Sequence, residues 1–175
     1  MTETARPLVP PSPDGARGKV RSLHRKSETP GEHGLPKPAV PEVHLGFSGV
    51  KNDFNRFRHE ELHDGLDQAV LVMPVEMIRA LRAEGWPVQE GDFGENVTTE
   101  GIPYSDFRPG DRFQVGSAIL EISKACTPCT NLQLLPYVGT QNGPRFIKTT
   151  LDRRGWYASV VHEGRVQTGD PIERV

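Results

Sequence analysis

Gly91-Asp92-Phe93-Gly94-Glu95-Asn96-Val97-Thr98-Thr99-Glu100-Gly101 is the most distinctive stretch of this chain. Glycines at 91 and 94 permit unusual backbone angles and close approach to a ligand. Asn96, Thr98 and Thr99 add hydrogen-bond donors and acceptors. No Gly-Lys-Ser/Thr follows, so the run is not a P-loop, and its glycine spacing differs from the dinucleotide fingerprint. Taken alone it reads two ways: a polar turn that closes a β-rich fold, or a loop that approaches a ligand.

The segments around it point to β structure. Lys19–Leu23 and Val40–Leu45 have strand character, and Pro41 suits an edge. Gln68–Met73 is an apolar run of strand length. One helix is well marked, over residues 74–84: Pro74 opens it, Val75, Ile78 and Leu81 share a face, and Gly85 stops it. Phe113–Val115 and Ala118–Ser123 flank Gly116-Ser117 at hairpin spacing, and Tyr157–Val161 and Arg165–Gln167 flank His162–Gly164 in the same way. Asn142-Gly143-Pro144 reads as a turn. Many short strands, one strong helix and frequent turns predict a mostly β fold, a barrel or closed sheet.

Length and composition bound the function. The chain has 175 residues, enough for one domain with a sizeable core. Its formal charge of −2 argues against a protein that mainly wraps nucleic acid. The longest apolar run, Ala69–Val75, is too short to span a bilayer. No charged-then-apolar leader pattern is present, so a cytoplasmic protein is expected. Half of the 16 prolines fall in the first 41 residues. Residues 1–17 are therefore read as a flexible Pro-rich tail and residues 18–175 as the folded domain.

Two local motifs carry candidate chemistry. Cys126-Thr127-Pro128-Cys129 is a C-x-x-C, in which a thiolate is the reactive and metal-ligating form and a second thiol can resolve it. Pro128 and the following Leu132, Leu134 and Leu135 do not fit a thioredoxin helix, and no second pair completes a structural zinc site. The plain alternative is two half-buried thiols after a strand. His59-Glu60-Glu61-Leu62-His63 matches H-E-x-x-H, the zinc hydrolase pattern, with Glu60 as base and Glu76 a candidate third ligand. Asp64-Gly65 follows at once and interrupts the helix that this pattern needs.

Read together, the motifs resemble a MOSC domain, the module shared by molybdenum-cofactor sulfurases, the mitochondrial amidoxime-reducing component and small stand-alone bacterial proteins. Gly34-Leu35-Pro36-Lys37-Pro38 resembles the family's opening motif, and Gly49-Val50-Lys51-Asn52-Asp53 its Gly-Val-x-Gly-Asp. Asp67–Leu71 resembles the strand before its helix. Phe93–Gly101 resembles its Phe-Gly-Glu-Asn run. Pro109-Gly110-Asp111, Val115-Gly116, Pro128-Cys129, Gly155-Trp156-Tyr157 and Gly169-Asp170 follow in the family's order. The resemblance covers residues 18–175. Two positions depart from the pattern. Asn52 replaces a usual Gly, which asks Asn to adopt the left-handed region or the turn to reshape. Cys126 replaces an Arg of many relatives and removes a guanidinium from beside the site.

The resemblance implies a β-barrel-like fold that binds molybdenum cofactor (molybdopterin). Cys129 matches the cysteine that ligates molybdenum. Asn96 matches an Asn near the pterin, Lys37 is a candidate for the phosphate, and Thr98 is a further polar candidate. Arg56, Arg58, Arg153 and Arg154 are undifferentiated candidates for phosphate. The implied activity is reduction of N-hydroxylated or N-oxide compounds, with electrons from a separate electron-donor protein, since the chain carries no iron–sulfur, flavin or dinucleotide motif. The alternatives are a persulfide carrier fed by a sulfur-donor protein, with Cys126 as resolving thiol, a binding module without turnover, and more remotely the zinc hydrolase of His59, Glu60 and His63.

Overall fold

The structure is a computed structural model that describes residues 15–55, 63 and 65–175. Eleven strands are present among them: β1 (Arg17–His24), β2 (Ala39–Val40), β3 (Glu42–Gly46), β4 (Gly49–Val50), β5 (Val70–Pro74), β6 (Val97–Glu100), β7 (Arg112–Val115), β8 (Ala118–Ala125), β9 (Trp156–His162), β10 (Gly164–Gln167) and β11 (Pro171–Arg174). Two α-helices accompany them, α1 (Val75–Ala83) and α2 (Gly139–Thr149). Short 3-10 turns occur at Leu66–Gln68, Tyr104–Asp106 and Thr130–Leu134.

Seven strands close into a barrel in the order β11-β7-β8-β9-β5-β6-β1, and pairing of β1 with β11 completes the ring. Closure leaves these strands without open edges along the shared ladder. The β5–β6 pair is parallel. A parallel pair needs a crossover, and α1 lies in that connection. β2 continues the sheet beyond β1, and β10-β3-β4 form a separate small sheet. The period-2 pattern of β8 turns Ala118, Leu120 and Ile122 inward. They join Val20, Val72 and Phe113 in the barrel core. A second core lies outside the barrel, where Ile78 and Leu81 of α1 and Phe146 of α2 enclose Trp86 and Phe93. The Phe93 and Phe146 rings stack with centroids 6.0 Å apart.

Most of the expected elements occur, with four differences. Val40–Leu45 is split at Pro41, which cannot donate to a ladder. Gln68 falls in a 3-10 turn, and the strand begins at Val70. The expected hairpin across His162–Gly164 does not pair: β10 is antiparallel to β3, with Val166 opposite Val43. Gly164 permits this path, since a Cβ there would stand 2.5 Å from the Ser117 carbonyl carbon. This close crossing over the β7–β8 turn carries the chain to the second sheet. Asn142-Gly143-Pro144 lies inside α2, not in a turn. Gly143 packs onto the Gln133 side chain and Phe146 is fully buried, so packing overrides the local turn preference. Asn52 does adopt the left-handed region, with φ 63°.

Candidate functional site

The site is built where β8 and β9 leave the barrel. β8 and β9 run antiparallel until Ala125 faces Trp156. The next residue, Cys126, donates its N–H to the Gly155 carbonyl at 2.9 Å. Beyond it Thr127 and Pro128 peel away, and Cys129 begins the 3-10 turn. Cys126 is buried. Burial pushes its thiol pKa up, against the opposing pull of Arg154 and the Tyr157 hydroxyl. Cys129 is half-buried and lines a cavity of about 730 Å³. Lys37, Gln68, Phe93, Arg154 and Tyr157 share that lining with it.

Arg154 is the cation that meets Cys129. Its Nη1 donates to Cys129 Sγ at 3.1 Å and to the Thr127 carbonyl at 3.2 Å. Its Nη2 donates to the Phe93 carbonyl at 3.3 Å. Gly155 makes this placement possible: its φ is +105°, and a Cβ there would stand 2.6 Å from the Val72 carbonyl oxygen. The chain can thus press against β5 and turn the preceding side chain toward Cys129. The guanidinium expected to be lost at position 126 is present after all, supplied from the bend that precedes β9. Of the four arginine candidates, Arg153 is bound to Glu84, just past the end of α1, at 2.5 Å, and Arg56 and Arg58 lie outside the described residues.

The remaining candidates form a scaffold behind the cavity. Lys37 is 5% exposed and its Nζ lies 2.6 Å from Asp53 Oδ2. The same Asp53 oxygen accepts Asn96 Nδ2 at 2.9 Å, and Asp53 Oδ1 accepts the Lys26 N–H. Asn96 also donates to the His24 carbonyl and accepts the Leu71 N–H through Oδ1. Its amide is therefore engaged on both sides, and neither it nor the fully buried Thr98 lines the cavity. Thr98 donates to Glu95 at 3.4 Å. The structure thus brings Cys129 and Lys37 to one cavity, sets Asn96 and Thr98 behind it, and buries Cys126 beside it.

The glycine-rich run is held by its own carboxylate. Glu95 is fully buried and accepts the Gly91 and Phe93 N–H groups at 2.5 and 3.1 Å. Burial pushes its pKa up to about 7, although these N–H bonds favour the ionised form. Burial likewise raises Asp92, whose Oδ2 accepts the Tyr137 hydroxyl, and lowers His24. Gly94 has φ +80°, a backbone conformation that favours glycine, and a Cβ there would press on a Leu35 methyl at 2.8 Å. The run therefore shapes the cavity wall through Phe93 and Gly94, while its polar side chains face the scaffold.

Sequence reasoning missed Gln68 and Tyr157 as cavity residues. Gln68 had no signal of its own, because it sat at the edge of an apolar run. Of the zinc pattern, His63 is exposed, and His59 and Glu60 lie outside the described residues. Among the described residues no group of three or more His, Cys, Asp or Glu could hold a metal ion.

A family model described as MOSC domain matches residues 59–173. YiiM of Escherichia coli K12 is 29% identical over 139 residues, covering 77% of this chain and 59% of YiiM. The uncharacterized protein YflK of Bacillus subtilis 168 is 30% identical over 117 residues, covering 63% of this chain and 49% of YflK. The chain thus spans only about half to three-fifths of these curated relatives. The crystal structure of YuaD from Bacillus subtilis superposes with a TM-score of 0.75, covering 91% of this chain and 96% of that one at 19% identity, a likeness of fold.

Proposed function

The chain belongs to the MOSC domain family, and on that premise we propose that it binds molybdenum cofactor through Cys129 and reduces N-hydroxylated or N-oxide compounds. The observation that carries this reading is the Cys129 sulfur beside the Arg154 guanidinium at the wall of a cavity of about 730 Å³. The donor set fits the group: a thiol is a suitable soft ligand for a thio-metal centre, and a guanidinium offers forked donors to an anion. When bound, the cofactor would supply the metal that accepts oxygen from the substrate.

The chain's own residues bind and orient. Cys129 is the ligand. Arg154 fixes the sulfur and presents positive charge beside it. Phe93 and Leu35 supply apolar wall that excludes water. Lys37 is held by Asp53, so its stem shapes the wall and its charge is already balanced. Removing oxygen from an N-hydroxyl group takes two electrons and two protons and releases water. The electrons come from a separate electron-donor protein. No helix among the described residues is long and apolar enough to cross a membrane.

A second reading keeps Cys129 and drops the metal: the half-buried thiol carries a persulfide received from a sulfur-donor protein. Its support is the same guanidinium, which suits a sulfur anion. Cys126 would be the resolving thiol only if Thr127 and Pro128 rearranged, since it is buried and does not line the cavity.

Metal and pterin analysis separates the two readings. The protein is produced in a host able to make molybdenum cofactor, wild type beside Cys129→Ala. Molybdenum near one per chain in wild type, lost in the variant, is the expected result. Absence of molybdenum and pterin from both, with labile sulfur on Cys129, would replace the first reading with the second.

A further inference from the structure

Tyr104 opens the 3-10 turn Tyr104–Asp106, shortly after the glycine-rich run. Its hydroxyl meets both polar groups of Gly155. Oη donates to the Gly155 carbonyl at 3.1 Å and accepts the Gly155 N–H at 3.1 Å. The same carbonyl accepts the Cys126 N–H at 2.9 Å. One hydroxyl thus joins the residue that follows Arg154 to the residue that opens the C-x-x-C. Tyr104 itself does not line the cavity.

The hydroxyl sits where the backbone needs a clamp. The ladders of β9 begin at Trp156, opposite Val72 and Ala125. Gly155 lies just before them at φ +105°, and glycine moves between backbone regions at little steric cost. The Gly155 N–H belongs to the peptide plane shared with Arg154, and the Gly155 carbonyl to the plane shared with Trp156. A group bonded to both planes restricts the rotation between them. Tyr104 is held in turn: Trp156 Nε1 donates to its carbonyl at 3.2 Å, and the two ring centroids are 5.4 Å apart. Burial pushes the phenol pKa up to about 12, so the hydroxyl keeps its proton at neutral pH and remains a donor.

We propose that Tyr104 is the positioning residue of the Cys129–Arg154 pair: its hydroxyl holds the Gly155 peptides in the conformation that aims the guanidinium at the thiol. The contacts run without a break. Tyr104 Oη holds Gly155, and the adjoining Arg154 donates from Nη1 to Cys129 Sγ at 3.1 Å and from Nη2 to the Phe93 carbonyl at 3.3 Å. Without the hydroxyl, the Gly155 carbonyl keeps only the Cys126 N–H, and the Gly155 N–H loses its acceptor. Gly155 then relaxes, and the positive charge is no longer fixed beside the sulfur. The inference deepens the proposed function and rests on Cys129 and Arg154 forming the site.

Alkylation of Cys129 tests it. Full-length protein is made in a host unable to synthesise the pterin cofactor, so that the thiol is free. Rates are measured with anionic iodoacetate and neutral iodoacetamide, and peptide fragmentation locates the modified cysteine. Tyr104→Phe removes the hydroxyl and keeps the ring. It is expected to lower the iodoacetate-to-iodoacetamide ratio about threefold, the scale of one net hydrogen bond. In an Arg154→Met background the same change is expected to leave the ratio unmoved, because the charge that Tyr104 positions is gone. Val166→Ala, a core truncation in the small sheet, controls for lost stability and is expected to keep the wild-type ratio. An unchanged ratio in Tyr104→Phe, an equal drop with and without Arg154, or an equal drop in Val166→Ala overturns the inference.

Near-UV circular dichroism reports whether Tyr104→Phe folds. If it does not, Trp156→Phe takes its place, since it removes the indole N–H that holds the Tyr104 carbonyl. The ratio is then expected to fall with Arg154 present and to stay put in the Arg154→Met background, and a ratio unmoved in both overturns the inference. The alkylation ratios need no bound metal. Failure of molybdenum binding through Cys129 is therefore read independently, from the metal content of wild type beside Cys129→Ala.

Discussion

Arg154 and Cys129 are 25 residues apart in the chain, yet guanidinium and sulfur are 3.1 Å apart. Positive charge beside a half-buried thiol steers anionic reagents toward it. Cys129 should therefore react faster with iodoacetate, relative to neutral iodoacetamide, than an ordinary thiol does. Arg154→Met should lower that ratio several-fold. Comparing the two reagents cancels any difference in how much thiolate is present. Equal ratios in wild type and variant would mean that the guanidinium does not act on the cavity.

The same substitution should destabilise the fold. Arg154→Met leaves the buried Phe93 carbonyl without its donor, whereas the exposed Thr127 carbonyl still accepts the Cys126 thiol. An unsatisfied buried carbonyl costs about 1–3 kcal/mol when no water replaces the donor. Urea unfolding should show a loss at the lower end of that range. A variant as stable as wild type would place water or another donor at the Phe93 carbonyl.

The two thiols should label unequally. Cys126 is 1% exposed and burial pushes its thiol up, whereas Cys129 borders the cavity. Native wild-type protein should take up one neutral alkylating group quickly and the second only on unfolding. Native Cys129→Ala should take up almost none. Rapid double labelling of native wild type, read by intact mass, would show that Cys126 is reachable through motion of Thr127-Pro128.

Lys37 and Asp53 should be strongly coupled. Their charged atoms are 2.6 Å apart and their side chains are 4% and 7% exposed. Asp53→Ala strands a buried ammonium and should cost roughly 3–5 kcal/mol. Adding Lys37→Met to that variant should restore part of the loss, because no uncompensated charge remains. A double-mutant cycle with no coupling energy would show that water reaches the pair.

Stability should fall with rising pH through the range set by Glu95. Its folded pKa is about 7 against a reference of 4.5, so the folded state holds a proton that the unfolded chain has released between those values. The stabilisation is complete below the unfolded value and is lost as pH rises through the folded one, at up to about 1.4 kcal/mol per pH unit. Asp92, also raised, adds the same trend, while the lowered His24 acts oppositely, losing stability toward acid. Glu95→Gln should remove its own share, so the gap between wild type and variant should shift in favour of the variant from pH 4 to 8. A gap that stays constant would place the Glu95 titration outside this window.

Much of the fold was legible in the residues. The inward alternation of Ala118, Leu120 and Ile122, the two-residue turn before it, and the Pro74-to-Gly85 helix are local patterns fixed by backbone period and turn chemistry. Cys129 was legible as a site candidate through its motif. The failures came where distant segments decide. Asn142-Gly143-Pro144 looks like a turn until Gln133 and the second core are packed against it. Residues 164–167 look like a hairpin return until Gly164 crosses the Ser117 backbone and Val166 finds Val43.

The amino-acid sequence by itself determined the strand-rich class, the main helix and the family, and it singled out Cys129 as a candidate. Those follow from side-chain periodicity, from Gly and Pro conformational limits, and from an ordered set of short motifs. Only the tertiary structure decided which charges meet the cavity. It turned Arg154 toward Cys129 and balanced Lys37 with Asp53. It used up the Asn96 amide in the scaffold and set Gln68 in the cavity wall. Each of these depends on closing the barrel, which brings β1, β5, β8 and β9 together, and no local pattern encodes which polar groups will find partners when that closure removes them from water.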